Sequence, residues 1–449
     1  MTTARPLALL TLLVSTPAAA TEPVQTYSLP NGLLVHFQHD PRRPRVAVAV
    51  DYRVGARDDP SGYHSLAHLV EHLMFQGSTN VHEDGFFRHL ERAGSTEHQG
   101  TTTWDSTTYS ERVPAARLAT ALWLESDRMG FMLGHLAEGT LAIQKEVVRN
   151  EWRQRGQGAV AVSPLPAMTE RLYPAGHPYL KGLSNLESQM YGVPDLDAID
   201  RDDVAWFFQR WYQPANATLA VVGDVPTDRA AEMVAEYFGP IQSATPVPER
   251  TSGGPIQLEV VRRMRVSAPV FQQQVVMVWP IGPRGRTSND ALELVAGVFR
   301  RKVSRRLVDE ALVDGISIGL FEGELDSLFV VRAIVRRGTA MATVERVIDE
   351  EIRALQEDGI DDAVLGAAKR TRLVELLADE QELTPAAVWL SRHHEPLSAV
   401  TARTKALKTP RVERILREQL PLGRRVIMEI TQDRRAPRKG WMTVRDETP

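Results

Sequence analysis

At 449 residues, with 43% hydrophobic and 24% charged side chains, the chain can bury more than one core and suggests two or more domains. A formal net charge of −4 gives no reason to expect nucleic acid or an anionic membrane surface as a partner. The absence of cysteine excludes disulfides, thiolate metal sites and cysteine nucleophiles, so any metal must be held by histidine and carboxylate.

The first stretch, MTTARPLALLTLLVSTPAAATEP, places Arg5 ahead of an apolar run from Leu7 to Val14 and ends in Ala18, Ala19 and Ala20. This is the three-part layout of a secretory signal peptide, 1–20, with cleavage after Ala20. The mature chain is therefore expected to be exported, periplasmic or secreted, and soluble. The apolar run is far short of the ~20 residues a membrane span needs, and no later stretch supplies one.

Two strand signals open the mature chain. GLLVHFQHD (32–40) and RVAVAVDYRVGA (45–56) alternate with period two and are joined by the turn-like PRRP. A helix carrying HLVEHLMFQG (68–77) follows, ending near Gly77. GTTTWDSTTYSERVP (100–114) reads as a strand, and 115–133 and 138–155 read as helices. ATLAVVGDV (217–225) is a buried strand. Residues 240–256 are dense in Pro, Gly, Ser and Thr, which places a linker at 246–256 between domains at 24–245 and 257–449. The second part repeats the grammar: strands at 271–282, 327–338 and 424–432, helices at 289–312 and from about 340 to 420. The Arg-rich stretches at 262–265 and 300–306 read as solvated faces. Both parts close with a strand after helices, which suggests a duplicated α+β unit, although no residue-level repeat is visible.

The segment 68–77 holds the chemistry. Residues four apart share a helix face, so His68 and His72 can present two imidazole nitrogens to one ion. Two neutral imidazoles suit Zn²⁺, and a catalytic zinc keeps one position for an exchangeable water beside three protein ligands. Glu71 is placed to take a proton from that zinc-bound water, which makes H-x-x-E-H the inverted form of the H-E-x-x-H zinc protease motif. The third ligand needs another acid. QKEVVRNEWRQR offers Glu146 and Glu151, about 140° apart around a helix, so only one can face the metal.

These stretches, with LESDRM, HPYLKG and WYQPANATLAVVGDV following in order, resemble the pitrilysin–insulinase–mitochondrial processing peptidase family over most of 25–240, and more faintly over 255–449. The resemblance implies two similar α+β domains, each a mainly antiparallel sheet packed with helices, facing each other across a cleft. It implies a zinc metalloendopeptidase that hydrolyses peptides or small unfolded proteins, with one zinc per chain. It also selects Glu151 as third ligand, leaving Glu146 on a solvated face. The family often carries a glutamate seven residues before that ligand, where this chain has Gln144. Where the family tends to have an asparagine on the strand beside the cleft, this chain has Gln99. His98, next to it, is a candidate for lining the cleft, and His177 for anchoring a loop. His36, His39, His64, His82, His89, His135, His393 and His394 have no partner at ligand spacing and read as surface or hydrogen-bonded structural residues.

One expected part is missing. Active members of the family carry, opposite the zinc, an arginine and a tyrosine that hold the substrate backbone. The matching stretch here, 305–321, has apolar or small residues where the pair belongs, and the last tyrosine of the chain is Tyr237. In two-chain members the partner supplies this pair, so the resemblance implies a homologous partner subunit in a heterodimer. The alternative is a non-catalytic structural or peptide-holding subunit.

Overall fold

The computed structural model describes residues 21–63, 65–83, 85–157, 172–181, 196–243, 246–268, 270–285, 287–432 and 443–446. The expected signal peptide (1–20) and His64 lie outside the described residues.

The first sheet contains β1 (Gln25–Ser28), β2 (Leu34–His39), β3 (Arg45–Tyr52), β4 (Glu97–Thr102), β5 (Thr107–Pro114) and β6 (Ala217–Gly223). Their spatial order is β1-β2-β6-β3-β5-β4, with only β2 and β6 parallel. The second sheet contains β7 (Arg262–Ala268), β8 (Gln274–Gly282), β9 (Val313–Phe321), β10 (Ser327–Val335), β11 (Val426–Gln432) and β12 (Thr443–Asp446). Its order is β12-β7-β11-β8-β10-β9, and again one pair, β7 and β11, is parallel. From β2 to β4 and from β7 to β9 the two topologies match strand for strand. The duplication invisible at residue level is plain in the connections.

Among the described residues the helices of the first part are α1 (Leu66–Leu73), α2 (Gly85–Ala93), α3 (Leu118–Phe131), α4 (Glu138–Gln157), α5 (Pro178–Lys181), α6 (Arg201–Trp211) and α7 (Thr227–Phe238). Those of the second are α8 (Thr287–Asp309), α9 (Met341–Glu357), α10 (Asp362–Gln381), α11 (Leu383–His393), α12 (Leu397–Ala406) and α13 (Thr409–Gln419). Among the described residues no helix is long and apolar enough to cross a membrane.

The alternation in β3 explains what each face does. Val46, Val48 and Val50 point into the core shared with α1, α3 and α6. Ala47 and Ala49, with Ala220 and Val222 of β6, make a face of mostly small residues against which Leu383, Ala387 and Leu390 of α11 pack. A helix from the second part thus covers the first sheet. The exchange is mutual: Leu172, Tyr173 and Tyr179 of the first part pack on Met264, Val276 and Met428 of the second sheet. Burying each large apolar side chain contributes about 1.5–3 kcal/mol, so the crossed elements bind the two parts firmly.

Two sequence readings differ from the fold, those of 100–114 and of the RRMR stretch. Residues 100–114 form not one strand but the end of β4, a turn and β5. The turn closes because the Thr103 hydroxyl accepts the Ser106 N–H at 3.1 Å while the Thr103 N–H donates to the Ser106 carbonyl at 2.8 Å. β2 and β3, adjacent in sequence, are separated by β6. The RRMR stretch opens β7, with Met264 and Val266 buried while Arg263 reaches Glu345 and Arg265 reaches Glu429.

Candidate metal centre

Helix α1 buries Leu66, Leu69, Val70 and Leu73 and leaves one edge for His68, Glu71 and His72. Its entry is fixed by Asp59, which accepts the Ala67 N–H at 2.9 Å. Burial pushes the Asp59 carboxyl up to about 8, against backbone N–H groups that favour its ionised form. Tyr212 donates to the Ala67 carbonyl at 3.3 Å. After α1 the chain reverses at Gly77 (φ 121°), where a Cβ would lie 2.6 Å from the Val81 carbonyl oxygen.

Helix α4 crosses α1 and brings Glu151 to the histidines. The His68 and His72 Nε2 atoms are 3.3 Å apart, and the Glu151 carboxylate lies 3.6 Å from His68 and 3.5 Å from His72. Zn–ligand bonds of about 2.0–2.1 Å in a tetrahedron put ligands roughly 3.3–3.4 Å apart. The triangle therefore fits a single tetrahedral ion, and among the described residues it is the one His/acid group with that proximity. Glu146 is on the other side of the helix, exposed and paired with Arg149. Gln144 is buried two turns before Glu151.

Glu71 is buried beside this triangle, and its Oε2 accepts the Thr102 hydroxyl at 2.5 Å. Gly100, two residues earlier on the same face of β4, permits the approach. A Cβ there would stand 2.9 Å from Glu71 Oε1 and 2.9 Å from a Phe75 ring carbon. His98 is on this face too, its ring 5.1 Å from that of Phe87. Gln99 alternates to the opposite face and is exposed, so its side chain is turned away from the histidines. A cavity of about 320 Å³ opens over the group, lined by His68, Glu71, His72, Phe75, Gln76, Phe87, Gly100 and Glu151. Among the described residues that lining has neither arginine nor tyrosine.

Other histidines make hydrogen-bond and ring contacts away from this group. His36 and His394 bond to each other at 3.2 Å, His393 stacks on Trp389, and His177 stacks on Tyr173. Sequence reasoning missed Thr102 and Asp59. Each acts on α1 through a contact made only in the folded chain, and no helical or strand periodicity links them to it.

Two imidazoles and a carboxylate are brought together from two helices, with a second carboxylate alongside, in a duplicated α+β frame, a donor set that could hold a metal ion. Residues 34–158 match the model of the insulinase family (peptidase family M16), and 198–372 match that of the peptidase M16 inactive domain. The chain belongs to the M16 peptidase family.

Similar curated proteins include the zinc protease PqqE of Helicobacter pylori, 28% identical over 304 residues, covering 67% of this chain and 61% of that protein. Insulin-degrading enzyme-like 2 of Arabidopsis thaliana is 22% identical over 343 residues, 74% of this chain and 35% of that one. This chain thus spans less than two thirds of the length of either. Among solved structures, a protease from Helicobacter pylori superposes with a TM-score of 0.80 at 20% identity, covering 91% of this chain and 99% of the other. The first half of the periplasmic protease PqqL from Escherichia coli gives 0.72 at 17% identity, covering 91% and 92%. These likenesses establish the two-part fold.

Proposed function

We propose that this chain is a zinc-dependent metalloendopeptidase that hydrolyses peptides or small unfolded proteins after export, and that it works with a homologous partner. The observation that carries the reading is the triangle of His68, His72 and Glu151 at tetrahedral-edge spacing, with Glu71 beside it. Those three residues would hold zinc, which supplies a Lewis acid that polarises the scissile carbonyl and lowers the pKa of water. Glu71 takes a proton from the attacking water and passes it to the leaving amine. The edge of β4 runs past this group, where an extended peptide can add as a further strand. A non-catalytic subunit needs no such base, and the close hold on Glu71 by Thr102 weighs against that reading.

The partner is inferred from what the sequence of the second part lacks. Backbone-holding donors aimed at developing charge are commonly worth about 3 kcal/mol. No tyrosine follows Tyr237, and the 305–321 stretch runs from α8 into β9 without one. The isolated chain is expected to take up zinc yet cleave peptides slowly, and a homologous chain bearing an Arg/Tyr pair should raise the rate on the order of a hundredfold. Full activity from the pure, isolated chain would refute the need for a partner. Glu71→Gln should leave zinc content and fold intact while abolishing peptide cleavage, and undiminished cleavage in that variant would sink the mechanism.

A further inference from the structure

We infer that Thr102 is the positioning residue for Glu71, a role that rests on the reading of Glu71 as the base. The 2.5 Å contact lies in the range of a hydroxyl bonded to a charged oxygen. Proton bookkeeping gives its direction. An ionised carboxylate only accepts, and Thr102 has a single hydroxyl proton. The other oxygen near it, Thr107 Oγ1 at 3.3 Å, donates its own proton to the Val54 carbonyl at 2.9 Å and lies 3.3 Å from the Tyr212 hydroxyl. The shorter, charge-assisted bond to Glu71 therefore takes the Thr102 proton.

The strand that delivers this hydroxyl is itself fixed. β4 is laddered to β5, with Thr102 opposite Thr107 and Gly100 opposite Tyr109. Tyr109 is fully buried and donates to Met74 Sδ just after α1. Thr102 is β-branched and so restricted at χ1, which limits where its hydroxyl can point. A glutamate has three rotatable bonds, and here one side of its carboxylate is bonded by Thr102 while Gly100 lies so near Oε1 that a Cβ there would stand 2.9 Å from it. Together they restrict the rotamers open to Glu71, which lines the cavity. A base held this way needs less reorganisation when the water arrives.

The test uses the zinc-loaded full chain and a peptide hydroxamate, a probe that binds zinc and shares a proton with a neighbouring carboxylate. Thr102→Val removes the hydroxyl at nearly constant shape, and Thr102→Ser restores it. Thr102→Val should keep the zinc content and melting temperature of the unaltered chain but bind the hydroxamate about tenfold more weakly. Thr102→Ser should bind it within about twofold of the unaltered chain, the hydroxyl being retained. In a Glu71→Gln background Thr102→Val should cost nothing further. In the partnered enzyme kcat should fall about tenfold with KM unchanged. Unchanged hydroxamate binding in Thr102→Val, or an equal loss in the Glu71→Gln background, overturns the role of Thr102 while leaving the peptidase reading standing. If the unaltered chain takes up neither zinc nor hydroxamate, the peptidase reading itself fails, and the positioning role with it.

Discussion

Glu146 and Glu151 stand five residues apart on α4, and the helix sends them opposite ways. Glu151 closes the triangle with His68 and His72, while Glu146 pairs with Arg149 at the surface. Glu151→Gln keeps size and one oxygen but removes the charge that a divalent ion needs. Zinc affinity should fall at least tenfold, seen as metal content well below one per chain by elemental analysis after dialysis, whereas Glu146→Gln should stay near one. The reverse pattern would mean that another residue holds the ion. A similar test applies at Gly100, where an added Cβ meets Glu71 and Phe75 at 2.9 Å. Gly100→Ala should cost roughly 1–3 kcal/mol of stability and displace Glu71, lowering cleavage with zinc retained. Full stability and full cleavage in that variant would show that the strand has room to move aside.

Helix α3 carries a charged core that the LESDRM stretch only hints at. Glu125, Ser126, Asp127 and Arg128 are all buried. Arg128 binds both oxygens of Glu125, lies 3.8 Å from Glu111 of β5, and stacks 4.0 Å from the Tyr109 ring and 4.4 Å from Phe86. It thereby ties α2, α3 and β5 together beside the candidate metal centre, while Asp127 accepts from Ser78 and Asn80 in the connection leaving α1. Burial holds the Glu111 carboxyl above its ordinary range, with Arg128 pulling it back. Arg128→Met leaves Glu125 and Glu111 buried without their cation and should cost about 3–5 kcal/mol in urea unfolding. A loss below 1 kcal/mol would mean that water or a proton takes the guanidinium's place. The limits of legibility follow the same logic. Alternation exposed β2 and β3, apolar runs exposed β6, β8 and β10, and four-residue spacing exposed His68 and His72. β7 was hidden by three arginines whose partners, such as Glu345 and Glu429, come from far along the chain. The β4–β5 turn was hidden because threonine serves strand and turn alike. Glu151 was chosen by family likeness, since the helix alone left two acids open.

At the scale of the whole molecule the two parts are joined by polar seams as well as by exchanged helices. Glu324 accepts from Arg57 at 3.0 Å, Arg250 at 2.7 Å and Arg284 at 2.9 Å, and Asp105 receives the Glu324 N–H at 2.9 Å and the Tyr179 hydroxyl at 2.8 Å. Near it a second seam joins β2 to the end of α11, where His36 Nδ1 contacts Thr26 at 2.8 Å and Nε2 contacts His394 at 3.2 Å. Burial first, and then the neighbouring His394, pushes His36 down to about 4. Burial also lowers His394, with Arg284 and Arg53 adding to this and Glu324 opposing. A histidine with a depressed folded pKa stays neutral in the fold while the unfolded chain takes up a proton near 6.5. Its contribution is therefore complete above that value and lost as pH falls toward 4. Asp59 and Glu111, with raised values, change in the opposite direction, but they are common to any variant of the seam. The prediction is then a difference measurement. In chelator-treated protein, so that metal release plays no part, the melting temperature should drop further between pH 6.5 and 4.5 in the unaltered chain than in His36→Gln/His394→Asn. Asparagine suits position 394 because that residue is left-handed (φ 57°). Parallel melting curves for the two proteins across this range would show that the histidine pair does not set the acid limit of the joined fold.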